Sequence, residues 1–497
     1  MTTTADVCLI VEGTYPFVTG GVSAWLDQLI RALPELRFAI LHIAATEEAR
    51  PPLAYTLPPN VTDMRVIGVH GGRELARSGA RVPPEAWEEV RTFHDAMIDG
   101  RGELGALLRV LAPTPESGPT PHDFIHGKSS WGVVRALYEA RAPSVSFIDY
   151  FWTYRFTHLP IFRLMRIEVP LARVYHTVST GWAGLAAAIV RARTGRPMLL
   201  TEHGIYSRER RMEIDQAEWI YAQRQAPMSL SLGGGFFKEL WARLFARLSF
   251  VTYTHADLIV TIFEGNRRAQ IDDGADPQRT LVVPNGIDVE RFASLPRESA
   301  GPGTFRVGLV GRVVPIKDVK TFIRAVRIVT ESAPGTTAKV VGPTDEDPEY
   351  VAECQALVAS LGLQERVEFT GRADVSQHYP RLDVVVLTSV SEGLPLVILE
   401  ASAAGIPVVA SDVGACRELL EGRTPDDRAL GPSGLVTGIA DPGDTATALL
   451  ALARDPGLRE EMGQAGRARV RTHYQETDLV RRYRDIYDRL LAMPAAS

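Results

Sequence analysis

Residues 388–418 read TSVSEGLPLVILEASAAGIPVVASDVGACRE. An apolar strand ends in a Gly-containing turn, a helix starts at about Leu394, and PVVASD at 407–412 follows as a second short apolar run. Strand, turn, helix and strand in that order, with no polar alternation in either strand, is the pattern of a parallel sheet covered on both faces. The turn delivers the chain to a helix N-terminus, where free N–H groups and the dipole favour a negative group by about 0.3–1 kcal/mol, and up to about 2 when partly buried. Glu392 stands at the helix entrance, and Glu400, eight positions on, lies about two turns inside.

Carboxylates accept hydrogen bonds from vicinal hydroxyls, and a sugar nucleotide offers such diols on both its ribose and its hexose, so Glu392 and Glu400 are candidates to read its two ends. The plainer reading makes Glu392 a dipole partner and Glu400 a solvated helix residue. Upstream, GLVGRVVPIKDVKTFIRAV at 308–326 is a second strand, loop and helix, and it supplies Arg312 and Lys317. Arginine grips phosphate oxygens with a fork and lysine as a point charge, so the pair suits a departing diphosphate without a metal. Two exposed loop cations are the alternative.

The same alternation extends in both directions. FRVGLVG, AKVVG, VEFTG, DVVVLTS and PVVASD are the short strands of a C-terminal α/β series that begins after the turn-rich RESAGPGTF at 297–305. VCLIV at 7–11, FAILHIA at 38–44, VYHTVST, PMLLTEHG and LIVTIF make an N-terminal series. Two such halves within 497 residues predict two doubly wound domains, 1–295 and 305–475, with a terminal helix over 476–497. That helix places Val480, Tyr483, Tyr487 and Leu490 on one face and is expected to pack back on the N-terminal domain. The Pro- and Gly-rich segment from about 51 to 121, including APTPESGPTP, reads as surface loops or insertions.

With 45% hydrophobic and 23% charged residues the composition is that of a globular protein, and a net charge of −6 gives no basic field for nucleic acid. No apolar stretch approaches the ~20 residues of a membrane helix, and the opening MTTTADV is not a secretory signal, so a cytoplasmic location is expected. Cys8, Cys354 and Cys416 are too scattered for a disulfide framework or metal site and read as reduced packing residues.

In the N-terminal half, Gly20 and Gly21 of VTGGVS follow the first strand and would let backbone approach a ligand closely. No G-x-G-x-x-G follows a strand, which argues against a dinucleotide oxidoreductase. His176 and His203 lie at predicted strand ends, where ligand contacts and hydrogen-bonded structural groups both occur. Phe151, Trp152, Tyr154 and Phe156 fit core packing or stacking on sugar rings. Arg208, Glu209, Arg210 and Arg211 read as a solvated run or an acceptor entrance, and Trp241, Leu244, Phe245 and Leu248 as a buried stripe or a docking face.

In order and spacing, VPNGID at 283–288, GRVVPIK at 311–317 and SEGLPLVILEASAAGIPVV at 391–409 resemble glycosyltransferase family four across the C-terminal half. The resemblance implies a GT-B fold, two Rossmann-like domains facing each other across a donor cleft, a nucleotide-sugar donor, retention of anomeric configuration, and no metal or other cofactor. It implies that Arg312 and Lys317 bind the donor phosphates, Glu400 the ribose and Glu392 the transferred sugar. The backbone of Gly393 and Leu394 would assist at sugar and phosphate, and that near Gly371 and Arg372 would hold the base. The T-x-H of Thr201 and His203 resembles the family's sugar-contacting histidine, and His176 stands in the place of another.

EGTYPFVTGGVSAW, FIDYFWTYRFTHLPIF, YHTVSTGWAGL, LTEHGIYSRERRMEI and AEWI are similar to the narrower family of Pel exopolysaccharide glycosyltransferases. That likeness implies a UDP-sugar donor, a growing amino-sugar-rich glycan as acceptor, and a polysaccharide synthase complex at the inner membrane as partner. The expected mechanism is domain closure, departure of the diphosphate assisted by Arg312 and Lys317, and attack from the same face. No carboxylate nucleophile for double displacement is evident in the N-terminal half. The alternatives are a nucleotide-sugar epimerase of the same fold and a non-catalytic nucleotide-sugar sensor.

Overall fold

The structure, a computed structural model, describes residues 4–46, 52–70, 84–99, 120–216, 232–301 and 303–495. The AEWI motif and most of APTPESGPTP lie outside the described residues. The chain forms two compact units, one of residues 1–261, 267–281 and 483–497, the other of 262–266 and 282–482. Residues 282–304, which the sequence reading divided between the first domain and its linker, lie in the second unit.

The first unit holds a seven-stranded sheet. Its strands are β1 (Ala5–Glu12), β2 (Phe38–Ala44), β3 (Val61–Gly68), β4 (Ala172–Thr177), β5 (Met198–Glu202), β6 (Leu258–Thr261) and β7 (Thr280–Val282), in the order β3-β2-β1-β4-β5-β6-β7. From β3 to β6 every pairing is parallel. Val7 through Val11 are completely buried, which is why the strand carries no polar alternation. The helix Trp182–Thr194 covers the sheet with an almost unbroken run of small and apolar residues. Leu244 and Leu248 of the helix Leu232–His255 are completely buried in the same core and Phe245 nearly so, so that stripe is packing and not a docking face.

The second unit holds a six-stranded parallel sheet of β8 (Phe305–Val310), β9 (Thr336–Val341), β10 (Val367–Gly371), β11 (Val384–Leu387), β12 (Val408–Ser411) and β13 (Gly434–Thr437), in the order β10-β9-β8-β11-β12-β13. Along β11, Val384 and Val386 face one apolar cluster while Val385 and Leu387 face another. Helices on both sides therefore account for strands read as continuous Val and Leu. The helix placed from about Leu394 spans Leu396–Ala403. Pro395, at φ −73° and ψ 110°, takes the N-cap, and a residue preceding proline is steered away from helical backbone. Glu400 consequently sits just over one turn inside, and Glu392 three residues before the cap.

Tyr483 to the chain end belongs to the first unit, where Tyr483, Tyr487 and Leu490 are buried. All three cysteines are buried and unpaired with one another.

Candidate functional site

In a doubly wound sheet, successive crossovers run outward in opposite directions from one pair of strands, and ligands bind at the carboxyl ends of that pair. In the second unit the pair is β8 and β11. Lys317, in the tight turn Pro315–Lys317 after β8, reaches across the pair to Glu392 in the loop after β11, Nζ to Oε1 at 2.5 Å. The same carboxylate oxygen accepts from the Ser389 hydroxyl at 2.6 Å. Thr388 Oγ1 donates to the Lys317 and Asp318 carbonyls, and the Val390 amide donates to the Ile316 carbonyl, so the two loops are tied by backbone as well as by charge. Asp318 takes φ +43°, a left-handed conformation unusual for a non-glycine residue, and caps the helix Val319–Ser332 through the Thr321 amide.

Arg312 follows β8 and is more open, its side chain 54% exposed and its guanidinium 2.7 Å from Glu346. Gly371, at φ +69°, ends β10, and Arg372 beside it is exposed and loosely paired with Asp345 at 3.4 Å. Gly393 and the buried Leu394 follow Glu392 in the same loop, where the Gly393 carbonyl accepts from the Ala415 amide. Glu400 accepts a 2.8 Å hydrogen bond from the buried Tyr379 hydroxyl. Burial pushes its carboxyl upward, with Tyr379 and the Arg291 charge pulling back. It is a held carboxylate and not the solvated helix residue of the plainer reading. Asn285, within the VPNGID motif, has a buried Oδ1 with no protein partner among the described residues.

In the first unit the corresponding pair is β1 and β4. A cavity of about 520 Å³ opens over the carboxyl ends of β1 to β5, lined by Glu12 to Thr14, Ile43 to Ala45, His70, Ser179, Glu202 to Gly204 and Arg210 among others. His203 lines it with its ring edge-on to Trp25, centroids 4.7 Å apart. Burial lowers the His203 imidazole to about 4, so it is neutral near pH 7. Gly20 and Gly21 begin the helix Gly21–Ala32, and a side-chain carbon on either would meet nothing within 4 Å, leaving the backbone there open to a ligand.

His176 is different. Its Nδ1 pairs with the Tyr487 hydroxyl at 2.8 Å and its Nε2 with Thr201 Oγ1 at 2.9 Å, and it is completely buried. Both ring nitrogens being committed, it has none to offer a donor, and the assignment of His176 to donor binding is corrected to a structural role. Burial holds it neutral, lowered to about 3.

Sequence reading missed Glu12. Its Oε2 accepts from the Ala183 amide at 3.3 Å and its Oε1 from the Tyr206 hydroxyl at 3.2 Å, so it serves the N-terminus of the helix Trp182–Thr194 from the end of a strand. Burial raises its carboxyl. The available signal was its place directly after the apolar run Val7–Val11. Glu202 was equally unmarked, but Tyr253, Gln270, Thr180 and the Tyr206 amide saturate it. The basic run divides: Arg210 lies over the Tyr206 ring at 5.0 Å and lines the cavity, whereas Arg211 pairs outward with Glu239.

Two doubly wound parallel sheets in one chain, each carrying polar groups at its switch point, define the GT-B fold. The chain belongs to the family described as "Domain of unknown function (DUF3492)", which matches residues 5–278, and residues 304–455 match "Glycosyl transferases group 1". HepE from Anabaena, solved in complex with UDP, is similar at a TM-score of 0.57 and 17% identity, covering 97% of this chain and 100% of that one. Sucrose-phosphate synthase from Thermosynechococcus elongatus reaches 0.56 at 17% identity, over 98% and 99%. The D-inositol 3-phosphate glycosyltransferase of Kineococcus radiotolerans is 34% identical over 228 residues, 42% of this chain and 52% of that protein. The chain thus spans about half the length of the curated relatives it matches. Among the described residues no helix is long and apolar enough to cross a membrane.

Proposed function

We propose that the chain is a retaining, metal-independent glycosyltransferase that moves a sugar from a UDP-sugar to a growing exopolysaccharide on the cytoplasmic side of the inner membrane. The observation that carries this reading is the Lys317–Glu392 contact across the β8/β11 switch point, with Arg312 in the same loop after β8 and Glu400 just over one turn into the helix that follows Glu392. A cation for a diphosphate and a carboxylate for sugar hydroxyls already stand together there. Arg312 and Lys317 stabilise the departing UDP, Glu400 accepts from the ribose hydroxyls, and Glu392 orients the transferred sugar. The backbone at Gly393 and Leu394 serves sugar and phosphate, and that at Gly371 and Arg372 the base. Within the first unit, neutral His203 and the open backbone at Gly20 and Gly21 are the proposed ligand contacts.

The motifs shared with the Pel exopolysaccharide glycosyltransferase, PelF, favour an amino-sugar-rich glycan as acceptor and a polysaccharide synthase complex as partner. The UDP in the HepE complex supports uridine over other bases.

Calorimetry with UDP, ADP and GDP tests the donor site. UDP is expected to bind preferentially, and Arg312→Ala and Lys317→Ala to weaken it by about 1–3 kcal/mol each, the range of charge-assisted contacts. No nucleotide binding, or binding indifferent to both substitutions, refutes the site. Binding without turnover in the presence of acceptor glycan would make the chain a sensor, and acceptor-free interconversion of the sugar an epimerase.

A further inference from the structure

The helix Phe147–Leu164 divides the aromatic group that sequence reading left undecided. Tyr154 is buried and Phe151 half-buried, while Trp152 and Phe156, one turn apart, are 43% and 49% exposed, and Trp131 on the neighbouring helix is 51% exposed. These rings form a continuous series. Trp131 lies 5.8 Å from Phe151 between centroids, Phe151 5.5 Å from Trp152, Trp152 6.2 Å from Phe156, and Phe156 5.9 Å from His70. His70 lines the cavity over β1 to β5, and Trp131 and Phe151 line a second cavity of about 560 Å³ at the far end.

Both cavities mix polar with apolar lining. Glu12, Thr14, His70, Ser179 and Arg210 stand in the first, and Lys128, Ser130 and Arg155 beside the rings of Trp131 and Phe151 in the second. Ligand cavities with apolar walls and a few polar groups fix a ligand's orientation through its donors and acceptors. The surface between the cavities is amphipathic, with the Arg155 guanidinium 5.3 Å from the Trp152 ring centre.

The geometry points to a binding track for a linear oligosaccharide, from the Trp131 cavity along Phe151, Trp152 and Phe156 to His70. Pyranose rings offer apolar C–H faces to aromatic rings and hydroxyls on their rims, which is the alternation found here. A lipid chain would gain nothing from ending among Thr14, His70, Ser179 and Glu12. The track rests on the proposed transfer reaction only in calling its occupant the acceptor; as a glycan site it stands on the rings and cavities alone.

The test is calorimetry on the full chain with β-1,4-linked oligomers of N-acetylglucosamine and of galactose, of one, three and six units, with UDP and phosphatidylglycerol vesicles as separate titrants. Affinity is expected to rise with oligomer length. Trp131→Ala, Trp152→Ala and Phe156→Ala each lower hexamer affinity about threefold to tenfold, the scale of one aromatic contact, with UDP affinity unchanged. Trp152→Phe restores most of the loss. Affinity that does not grow with length, or that ignores all three substitutions, overturns the track, as does vesicle binding lost in the same variants without any saccharide binding. Length-dependent binding without UDP binding keeps the track and removes the transferase reading, so the two fail separately.

Discussion

Glu392→Gln separates the two tasks that meet at the β8/β11 switch point. Lys317 is held by Glu392 at 2.5 Å, with the two side chains only 19% and 11% exposed. A hydrogen bond between charged partners contributes on the order of 1–3 kcal/mol net. A UDP diphosphate competes with that carboxylate for Lys317. The amide keeps the shape and removes the competitor, so UDP should bind about 5- to 100-fold more tightly while transfer from the UDP-sugar slows by about 10- to 100-fold, because the sugar loses its charged acceptor. Lys317→Met should weaken UDP instead. In the double variant the gain from Glu392→Gln should vanish, since no cation remains to be released. Calorimetric titration of the four proteins with UDP gives the cycle directly. Weaker UDP binding in Glu392→Gln, matching that in Lys317→Met, would show that the carboxylate only holds the loop and would refute the assignment.

Three further outcomes follow from the same geometry. Tyr379→Phe removes the donor to Glu400 and should cost about 1–2 kcal/mol in urea unfolding, together with a few-fold loss of UDP affinity; an effect on stability alone would separate Glu400 from the ligand. His176 is held neutral by burial at about 3, among Tyr487, Tyr483, Thr201, Trp25 and His203. A histidine whose folded pKa is depressed contributes stability that is complete above its unfolded value of about 6.5 and is lost as pH falls toward the folded value. Melting should therefore drop between pH 6.5 and 5 by about 2 kcal/mol from this group, and His176→Gln should flatten that slope. Lastly, transfer should persist in excess EDTA with Arg312 and Lys317 intact, and a full loss restored by Mg²⁺ or Mn²⁺ would overturn metal independence.

The fold was legible because both sheets are covered on both faces. Val384 to Leu387 and Val7 to Val11 carry no polar alternation, and unalternated apolar runs separated by helices admit few architectures other than a doubly wound sheet. The start of the helix after β11 was misplaced by two residues because Leu394 reads as apolar helix while Pro395 decides the cap. The candidate donor residues were legible as residue types, but their pairing was not. Nothing in the spacing of Lys317 and Glu392, 75 positions apart, says that they bond. His176 and His203 looked alike at two strand ends; the partners that distinguish them, Tyr487 and Thr201, come from the chain terminus and a neighbouring strand. Glu12 was missed for the same reason, since its partners Ala183 and Tyr206 are far along the chain.

The same topology explains why polar machinery concentrates where it does. The buried middle of a parallel strand has no room for a charged side chain, and loops leaving a switch point diverge, so their side chains can converge without clashing. Lys317 and Glu392 meet over one such gap, and Glu12 with the Val178–Ser179 turn lines the other. Several of these groups are held in place by the fold. Glu400 is bonded to Tyr379, His203 is desolvated, and Glu12 is set on helix amides. Groups already desolvated and oriented lose little more on meeting a ligand, so the free energy of ordering them is met in folding and not in binding.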